Sequence, residues 1–217
     1  LDKYFKTDDL KKCSRFWIIL FKTILSKLYH WKIYVVGSVE YQYPNHLFQA
    51  GYFLDKKYYD ENTIDFKHLL LSEKNQSLLK DIQNSNSVGV HIRRGDYMTK
   101  QNLVIFGNIC TQKYYHDAIR IITEKVNDAV FYVFSDDISW VQTHLDIPNA
   151  VYVNWNTGES SIYDMYLMSS CKYNIIANST FSYWAARLNK KTNMVIYPSK
   201  WYNTFTPDIF PESWCGI

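Results

Sequence analysis

The chain has 217 residues, enough for one large domain or two small ones, and its 47% hydrophobic content predicts a packed globular core. Its 24 Lys and Arg residues nearly balance its 21 Asp and Glu residues, which leaves a net charge of +3. So small a charge produces no global field that would attract nucleic acid. Binding to polynucleotides is therefore not indicated, and any anion site must be local.

The cysteines give no sign of a metal site or a disulfide framework. They lie far apart, with no Cys-x-x-Cys pair and no histidine at zinc spacing. We interpret all four as reduced thiols: Cys13, Cys110, Cys171 and Cys215.

Residues 1–86 show no repeating strand-helix unit and would by themselves make a poor nucleotide-binding domain. The pattern predicts a helix to about Trp31, a β-like run over 33–36, an aromatic loop over 41–59 and a short helix over 72–82. Polar turn residues at 84–87 then favour a boundary between a region 1–86 and a domain 87–217.

The segment 11–32 combines basic and apolar residues in a helical pattern. Its longest uncharged run, 16–21, is far shorter than the ~20 residues that cross a bilayer. Two interpretations remain open, because an apolar stripe with a charged opposite face describes both a helix on a membrane surface and a helix packed in a domain.

From Val88 onward, apolar strands alternate with helices. The expected strands cover 88–93, 130–134, 151–153, 173–177 and 194–197, and a loop runs from the first of them through Gly107. The expected helices cover 112–126, 138–145, 161–171 and 180–188. Strands that are apolar on both faces and separated by helices predict a parallel sheet of Rossmann type.

Arg93 and Arg94 follow the first of these strands. In open α/β sheets, ligands bind at the carboxyl ends of the strands, and a pair of guanidinium groups there suits a diphosphate. The alternative is a surface ion-pair cluster beside the turn at Gly95-Asp96. His91 shares Arg93's side of the strand, and it is either part of a site wall or a core residue.

Polar residues also follow two further strands. Asp136 and Asp137 come after 130–134, where they either shape a ligand pocket or simply start a helix. Ser179 or Thr180 opens the helix after 173–177, either as an ordinary cap or as part of a phosphate site at the free N–H groups. Asp164 is either a solvated helix carboxylate or an acceptor for the two adjacent N–H donors of guanine.

Three motifs in this order resemble the α-1,2-fucosyltransferases: His91 to Tyr97, Tyr132 to Asp137, and Asp164 to Trp184. The resemblance covers about residues 40–217. It implies a GT-B-like fold with a Rossmann-like donor-binding domain. It also implies inverting transfer of L-fucose from GDP-β-L-fucose to a galactose 2-hydroxyl of a glycan, with no metal or other cofactor.

The resemblance also assigns roles to individual residues. Arg93 and Arg94 would hold the diphosphate as catalytic residues. Asp96, the third residue of the catalytic group, would support the two arginines. His91 and Asp164 would face guanine. Asp136 and Asp137 would shape the donor pocket, and either is a candidate base for the acceptor. The phosphate cradle would comprise Ser179, Thr180, Phe181 and Ser182.

One departure concerns the start of the chain. The family normally begins with a Gly-Gly-Leu-Gly-Asn-Gln-like loop, which this sequence does not contain. We therefore expect an incomplete N-terminal, acceptor-side domain. Two hypotheses follow: a fucosyltransferase in a bacterial-type cytoplasm, at most peripheral at the inner face of the membrane through 11–32, or a non-catalytic remnant that binds a GDP-sugar.

Overall fold

The computed structural model describes residues 4–6, 24, 34–36, 48–50 and 65–217. Short strands β1 (Phe5–Lys6) and β4 (Asp65–Phe66) pair antiparallel, whereas β2 (Tyr34–Val36) and β3 (Phe48–Ala50) pair in parallel. Strand β2 agrees with the expected β-like run, and β3 lies in a segment expected to be loop. The helix predicted up to Trp31, and with it the question of a membrane-surface helix at 11–32, lies outside the described residues apart from Ile24.

The rest of the chain alternates between strands and helices. The strands are β5 (Asn86–Ile92), β6 (Ala129–Ser135), β7 (Ala150–Val153), β8 (Tyr173–Ile175), β9 (Met194–Tyr197) and β10 (Cys215–Gly216). The α-helices are α1 (Glu73–Asn84), α2 (Lys100–Phe106), α3 (Gln112–Lys125), α4 (Ile138–His144), α5 (Ser161–Met168) and α6 (Thr180–Arg187). Short 3₁₀ helices occupy Gly95–Met98 and Gly158–Ser160.

These six strands form one parallel sheet in the order β10-β9-β8-β5-β6-β7. The chain starts in the middle at β5, runs outward to β7, returns to β8 and runs outward again. This is the strand order of a doubly wound Rossmann sheet, whose direction reverses between β5 and β8. The predicted α/β class and parallel sheet are therefore confirmed.

Alternating side chains bury both faces of the sheet. On one face, Val90 and Val133 pack with Ile122 of α3. On the other face, Phe134 packs with Leu78 of α1 and Leu167 of α5. Because successive strand residues point to opposite faces, a continuous apolar strand is what a three-layer α/β/α domain requires.

Some of the observed elements differ from the expected ones. The predicted loop before Gly107 contains α2, whose N-cap Thr99 accepts a hydrogen bond from the Asn102 N–H. Helix α5 ends at Met168, and the Ser169 and Ser170 hydroxyls then bond to a backbone carbonyl of its last turn. Helix α1 lies before the expected boundary at residue 87, but its buried residues Leu78 and Ile82 pack against the sheet.

The described part of the chain contains no helix long and apolar enough to cross a membrane. Cys110, Cys171 and Cys215 are free thiols, as expected. Cys13 lies outside the described residues.

Candidate functional site

A cavity of about 570 Å³ opens at the carboxyl ends of β5, β6 and β7. Its volume lies in the range of about 300–1,000 Å³ that is usual for small-molecule sites. Predicted site residues that line it are His91, Arg93, Asp136, Asp164 and Phe181. The structure thus brings together side chains from the ends of two strands and from helices α5 and α6.

Arg93 lies between two carboxylates. Its Nη2 is 2.7 Å from Asp96 Oδ1, and its Nη1 is 2.9 Å from Asp136 Oδ2. The other oxygen of Asp136 accepts the Arg94 backbone N–H at 2.9 Å. A guanidinium carries five N–H donors, and these two ion pairs use one on each terminal nitrogen. Arg93 is therefore held in a fixed orientation and keeps donors for an anion in the cavity.

The turn after Arg94 depends on Gly95. A Cβ atom at this position would lie directly against Asp136 Oδ2. Only a residue without a side chain lets the Asp136 carboxylate reach both Arg93 and the Arg94 N–H.

Arg94 does not line the larger cavity. Its Nε is 3.1 Å from Asp137 Oδ2, and its guanidinium carbon lies 3.6 Å from the centroid of the Trp140 ring. It lines a second cavity of about 240 Å³, which also includes Arg93 but none of the carboxylates. Both arginines therefore line the smaller cavity, and of the two only Arg93 also lines the larger one.

Asp137 does what the simpler interpretation predicted for a helix-start residue. Its Oδ1 accepts the Trp140 N–H at 3.1 Å as the N-cap of α4. Asp136 lines the larger cavity and Asp137 does not. The structure therefore places Asp136 in the wall of the larger cavity and Asp137 at the start of α4, where it also binds Arg94.

His91 is buried in the cavity wall with its ring 5.1 Å from the Phe181 ring. Desolvation, followed by the charge of Arg93, lowers the pKa of His91 to about 3, so the imidazole is neutral near pH 7. Its Nδ1 is buried and has no hydrogen-bond partner among the described residues. A buried polar atom without a partner costs about 1–3 kcal/mol, so the placement of His91 in the cavity wall lowers the stability of the ligand-free domain.

Asp164 enters the cavity from α5. Burial raises the pKa of Asp164 to about 7, and a hydrogen bond from Asn156 Nδ2 to its Oδ1, at 2.7 Å, partly opposes the shift. A carboxylate in such surroundings suits a ligand that offers N–H donors, because it can accept two of them at once. The alternative of a solvated helix carboxylate does not fit this burial.

The start of α6 differs from the expected cap. Ser179 occupies the N-cap position, but its side chain makes no capping hydrogen bond. Thr180 is exposed, and Phe181 lines the larger cavity. The Ser182 hydroxyl is fully buried and bonds to the Ala177 N–H at 3.2 Å, so its position serves the loop backbone and not the cavity.

The loop after β7 completes the cavity and was missed by the sequence reasoning. Its lining residues are Asn154, Asn156, Thr157 and Gly158, followed by Ser161 at the start of α5. Gly158 has a positive φ of 59°, which favours glycine in this turn. A polar run directly after a buried strand could have predicted this part of the site, because the same pattern predicted the site residues at the ends of β5 and β6.

Metal ligands are not assembled in the part of the chain that the structure describes. No group of three or more His, Cys, Asp or Glu side chains lies close enough together there to hold an ion. The requirement for a metal, or the lack of one, stays a prediction.

The fold and the site together define a Rossmann-type domain with a ligand cavity at its strand ends. The model of glycosyl transferase family 11 matches residues 12–217, and the chain belongs to this family. This confirms the identification of the α-1,2-fucosyltransferase family from the three motifs.

Several named relatives are similar to the chain. Alpha-1,2-colitosyltransferase from Escherichia coli is 35% identical over 196 residues, which cover 83% of this chain and 63% of the relative. The O-antigen biosynthesis glycosyltransferase WbnK from Escherichia coli is 44% identical over 122 residues, 55% of this chain and 40% of the relative. Galactoside alpha-(1,2)-fucosyltransferase 2 from Pongo pygmaeus is 28% identical over 163 residues, 69% of this chain and 48% of the relative.

The chain thus spans between 40% and 63% of the length of these three relatives. Among solved structures, fucosyltransferase NodZ from Bradyrhizobium aligns with 86% of this chain and 62% of its own, at 15% identity and a TM-score of 0.43. That similarity is too low to inform on function.

Proposed function

We propose that this chain binds GDP-β-L-fucose in the larger cavity and takes part in inverting α-1,2-fucosyl transfer to a galactose 2-hydroxyl, within a GT-B-like enzyme. The observation that carries the proposal is the meeting of His91, Arg93 and Asp164 in one cavity at the strand ends. Family membership supports a glycosyl donor, and the relatives' names support a fucosyl or closely related sugar.

In this proposal the base of the donor lies against Asp164. Guanine presents N1–H and N2–H side by side, and an ionised carboxylate accepts both. Adenine has no such donor pair. The neutral His91 ring lies in the same cavity wall, against Phe181.

The diphosphate lies against Arg93. During transfer, the acceptor oxygen bonds to the anomeric carbon of fucose as the bond from that carbon to the β-phosphate oxygen breaks. GDP leaves with the bonding electron pair, and the acceptor proton passes to a base, for which Asp136 is the candidate of the adjacent aspartates because it lines the cavity. Arg93, which Asp136 holds in orientation, stabilises the charge that grows on the phosphate.

Charge balance makes Asp96 part of this mechanism. The two arginines and the three aspartates that bind them carry a net charge of −1. A diphosphate therefore binds most favourably when it replaces one carboxylate on Arg93. Asp96 is the candidate, since its side chain is 55% exposed and that of Asp136 only 27%.

The test is transfer of fucose from GDP-fucose to a β-galactoside acceptor, followed by mass spectrometry with EDTA present. We expect an α-1,2-linked product and its loss in Arg93→Ala. Binding of GDP-fucose without any transfer would favour the non-catalytic GDP-sugar-binding alternative. Strict dependence on an added divalent cation would contradict the role given to Arg93.

A colitosyl donor is the second candidate. The Escherichia coli relative named Alpha-1,2-colitosyltransferase is 35% identical to this chain and covers 83% of it. The same assay with both donors decides between them, and a higher kcat/KM for the colitosyl donor would replace fucose in the proposal.

A further inference from the structure

Asp164 is connected to two side chains outside the cavity by a chain of hydrogen bonds. Trp155 Nε1 donates to Asn75 Oδ1 at 2.7 Å. Asn75 and Asn156 then form a reciprocal amide pair, with Nδ2 to Oδ1 distances of 3.0 and 3.1 Å. Asn156 Nδ2 donates in turn to Asp164 Oδ1 at 2.7 Å. The chain links helix α1, the loop after β7 and helix α5.

The indole N–H fixes the direction of every bond in this chain. An indole nitrogen is a donor only, so it requires the oxygen of Asn75 to face it. That orientation requires Asn156 to present its nitrogen to Asn75 Oδ1, and the second N–H of the same nitrogen then points at Asp164. If both amides turned over, they would keep their mutual bonds, but an N–H of Asn75 would face the indole N–H.

The two orientations favour different states of Asp164. With Nδ2 of Asn156 toward it, the carboxyl is stabilised as an ionised acceptor. With Oδ1 of Asn156 toward it, the carboxyl would be stabilised as a protonated donor. The state of Asp164 therefore depends on a tryptophan that does not line the cavity.

We propose that Trp155 and Asn75 are positioning residues for base recognition, acting through Asn156 to hold Asp164 as an acceptor for a base with two adjacent N–H donors. This rests on the proposed function, in which the cavity takes a guanine nucleotide. The position of Asn75 supports the proposal, since it is 1% exposed and its amide is occupied on both sides.

Other charges near Asp164 do not replace this chain of bonds. The titratable and charged groups that share its cavity are His91, Arg93 and Asp136. His91 is neutral near pH 7 because burial lowers its pKa to about 3. Arg93 is bound to Asp96 and Asp136. Among the described residues, Asn156 is the one that donates a hydrogen bond to the Asp164 carboxylate.

Trp155→Phe is the decisive substitution. It removes the indole N–H but keeps an aromatic ring under Lys74, whose Nζ lies 3.7 Å from the centroid of the Trp155 ring. Lys74→Gln is the matched control, because it removes the charge over the ring and leaves the N–H in place. Asn156→Ala, which deletes the donor itself, is the second variant if Trp155→Phe does not fold.

The first measurement is the titration of the Asp164 carboxyl carbon by ¹³C NMR in the ligand-free chain, assigned with Asp164→Asn. We expect the midpoint to rise by roughly one pH unit in Trp155→Phe and in Asn156→Ala, since a hydrogen bond to a charged group changes an equilibrium about ten-fold or more. Lys74→Gln should leave it in place. An unchanged midpoint in folded Trp155→Phe and Asn156→Ala would overturn the proposal.

The second measurement is the affinity for GDP, IDP and ADP from pH 6 to 9. As the pH is lowered, GDP affinity should begin to fall at a higher pH in Trp155→Phe and Asn156→Ala than in the wild type, in step with the higher carboxyl midpoint. At pH 9 their GDP affinity should stay near the wild-type value. The protein's preference for IDP over ADP should be smaller than its preference for GDP over ADP, because the base of IDP lacks the N2 amino group. If the wild type does not bind GDP, both the proposed function and the role of Trp155 and Asn75 in base recognition are wrong. The carboxyl titration still tests, independently of GDP, whether the hydrogen-bond chain controls the ionisation of Asp164.

Discussion

Replacing Asp164 with Asn should stabilise the ligand-free protein above pH 7 while it weakens the binding of guanine nucleotides. Burial raises the pKa of Asp164 from 3.8 to about 7. The folded state then holds this proton more tightly than the unfolded state does. The free energy of unfolding therefore falls as the pH rises through the window between these two values, and the full loss is present above it.

The size of the effect follows from the shift. A difference of about 3 pKa units corresponds to ~4 kcal/mol, which is an upper limit because the side chain is only partly buried. Asn at this position keeps an oxygen for the Asn156 N–H but has no charge to desolvate. We expect about half of the limit, ~2 kcal/mol at pH 8, or a rise in Tm of about 4–8 °C for a domain of this size.

Urea unfolding at pH 5, 6, 7 and 8 measures the difference between Asp164→Asn and wild type. His91 contributes with the opposite sign, since its pKa is lowered to about 3 and folding stability falls as pH drops below 6.5. Both proteins share that contribution, so it cancels in the difference. The difference should grow from pH 5 to pH 8; equal stability at pH 8, or the same gain at every pH, would refute the burial of an ionised Asp164.

Three further predictions concern the cluster around Arg93 and the start of α6. Arg93→Lys should lower kcat by about 10²–10³-fold and GDP affinity much less, because lysine lacks the planar fork that meets the developing charge; equal losses in both would make Arg93 a ground-state anchor. Asp96→Asn should raise GDP affinity several-fold at low salt, whereas Gly95→Ala should lower GDP affinity by displacing Asp136. Calorimetric titration of both variants with GDP checks this. A lower GDP affinity in Asp96→Asn than in Gly95→Ala would contradict the replacement of Asp96 by phosphate on Arg93. Ser182→Ala should cost about 1–3 kcal/mol of stability by leaving the Ala177 N–H without a partner, with GDP affinity unchanged; a loss of GDP affinity at unchanged stability would return Ser182 to the phosphate cradle.

The sheet was predictable from sequence because its strands are apolar on both faces. Runs such as 130–134 need burial on two sides, and only a parallel sheet between helix layers provides it. The ends of β5 and β6 were predictable as site positions for the same topological reason. Helix α2 was not predicted, because the N-cap residue Thr99 is its only helix-start signal and the segment has a glycine on either side, which favoured a loop.

The roles of side chains within the site were harder to predict. Arg93 and Arg94 are adjacent and both line the smaller cavity, but only Arg93 reaches the larger one, a difference that their adjacency in the sequence does not reveal. The link from Asn75 to Asn156 joins residues 81 positions apart, and no local pattern indicates such a contact. The burial that raises the pKa of Asp164 arises in the same way, from elements that meet only in the folded chain.

Calorimetric titration of the wild-type chain with GDP and with ADP, at pH 8 with EDTA, tests most directly whether the cavity takes a guanine nucleotide. Two hydrogen bonds to an ionised carboxylate are together worth about 3 kcal/mol, so we expect GDP to bind about 100-fold more tightly than ADP, and without metal. Asp164→Asn should remove most of that preference. Equal affinity for GDP and ADP, or no binding of GDP until a divalent cation is added, would contradict the account.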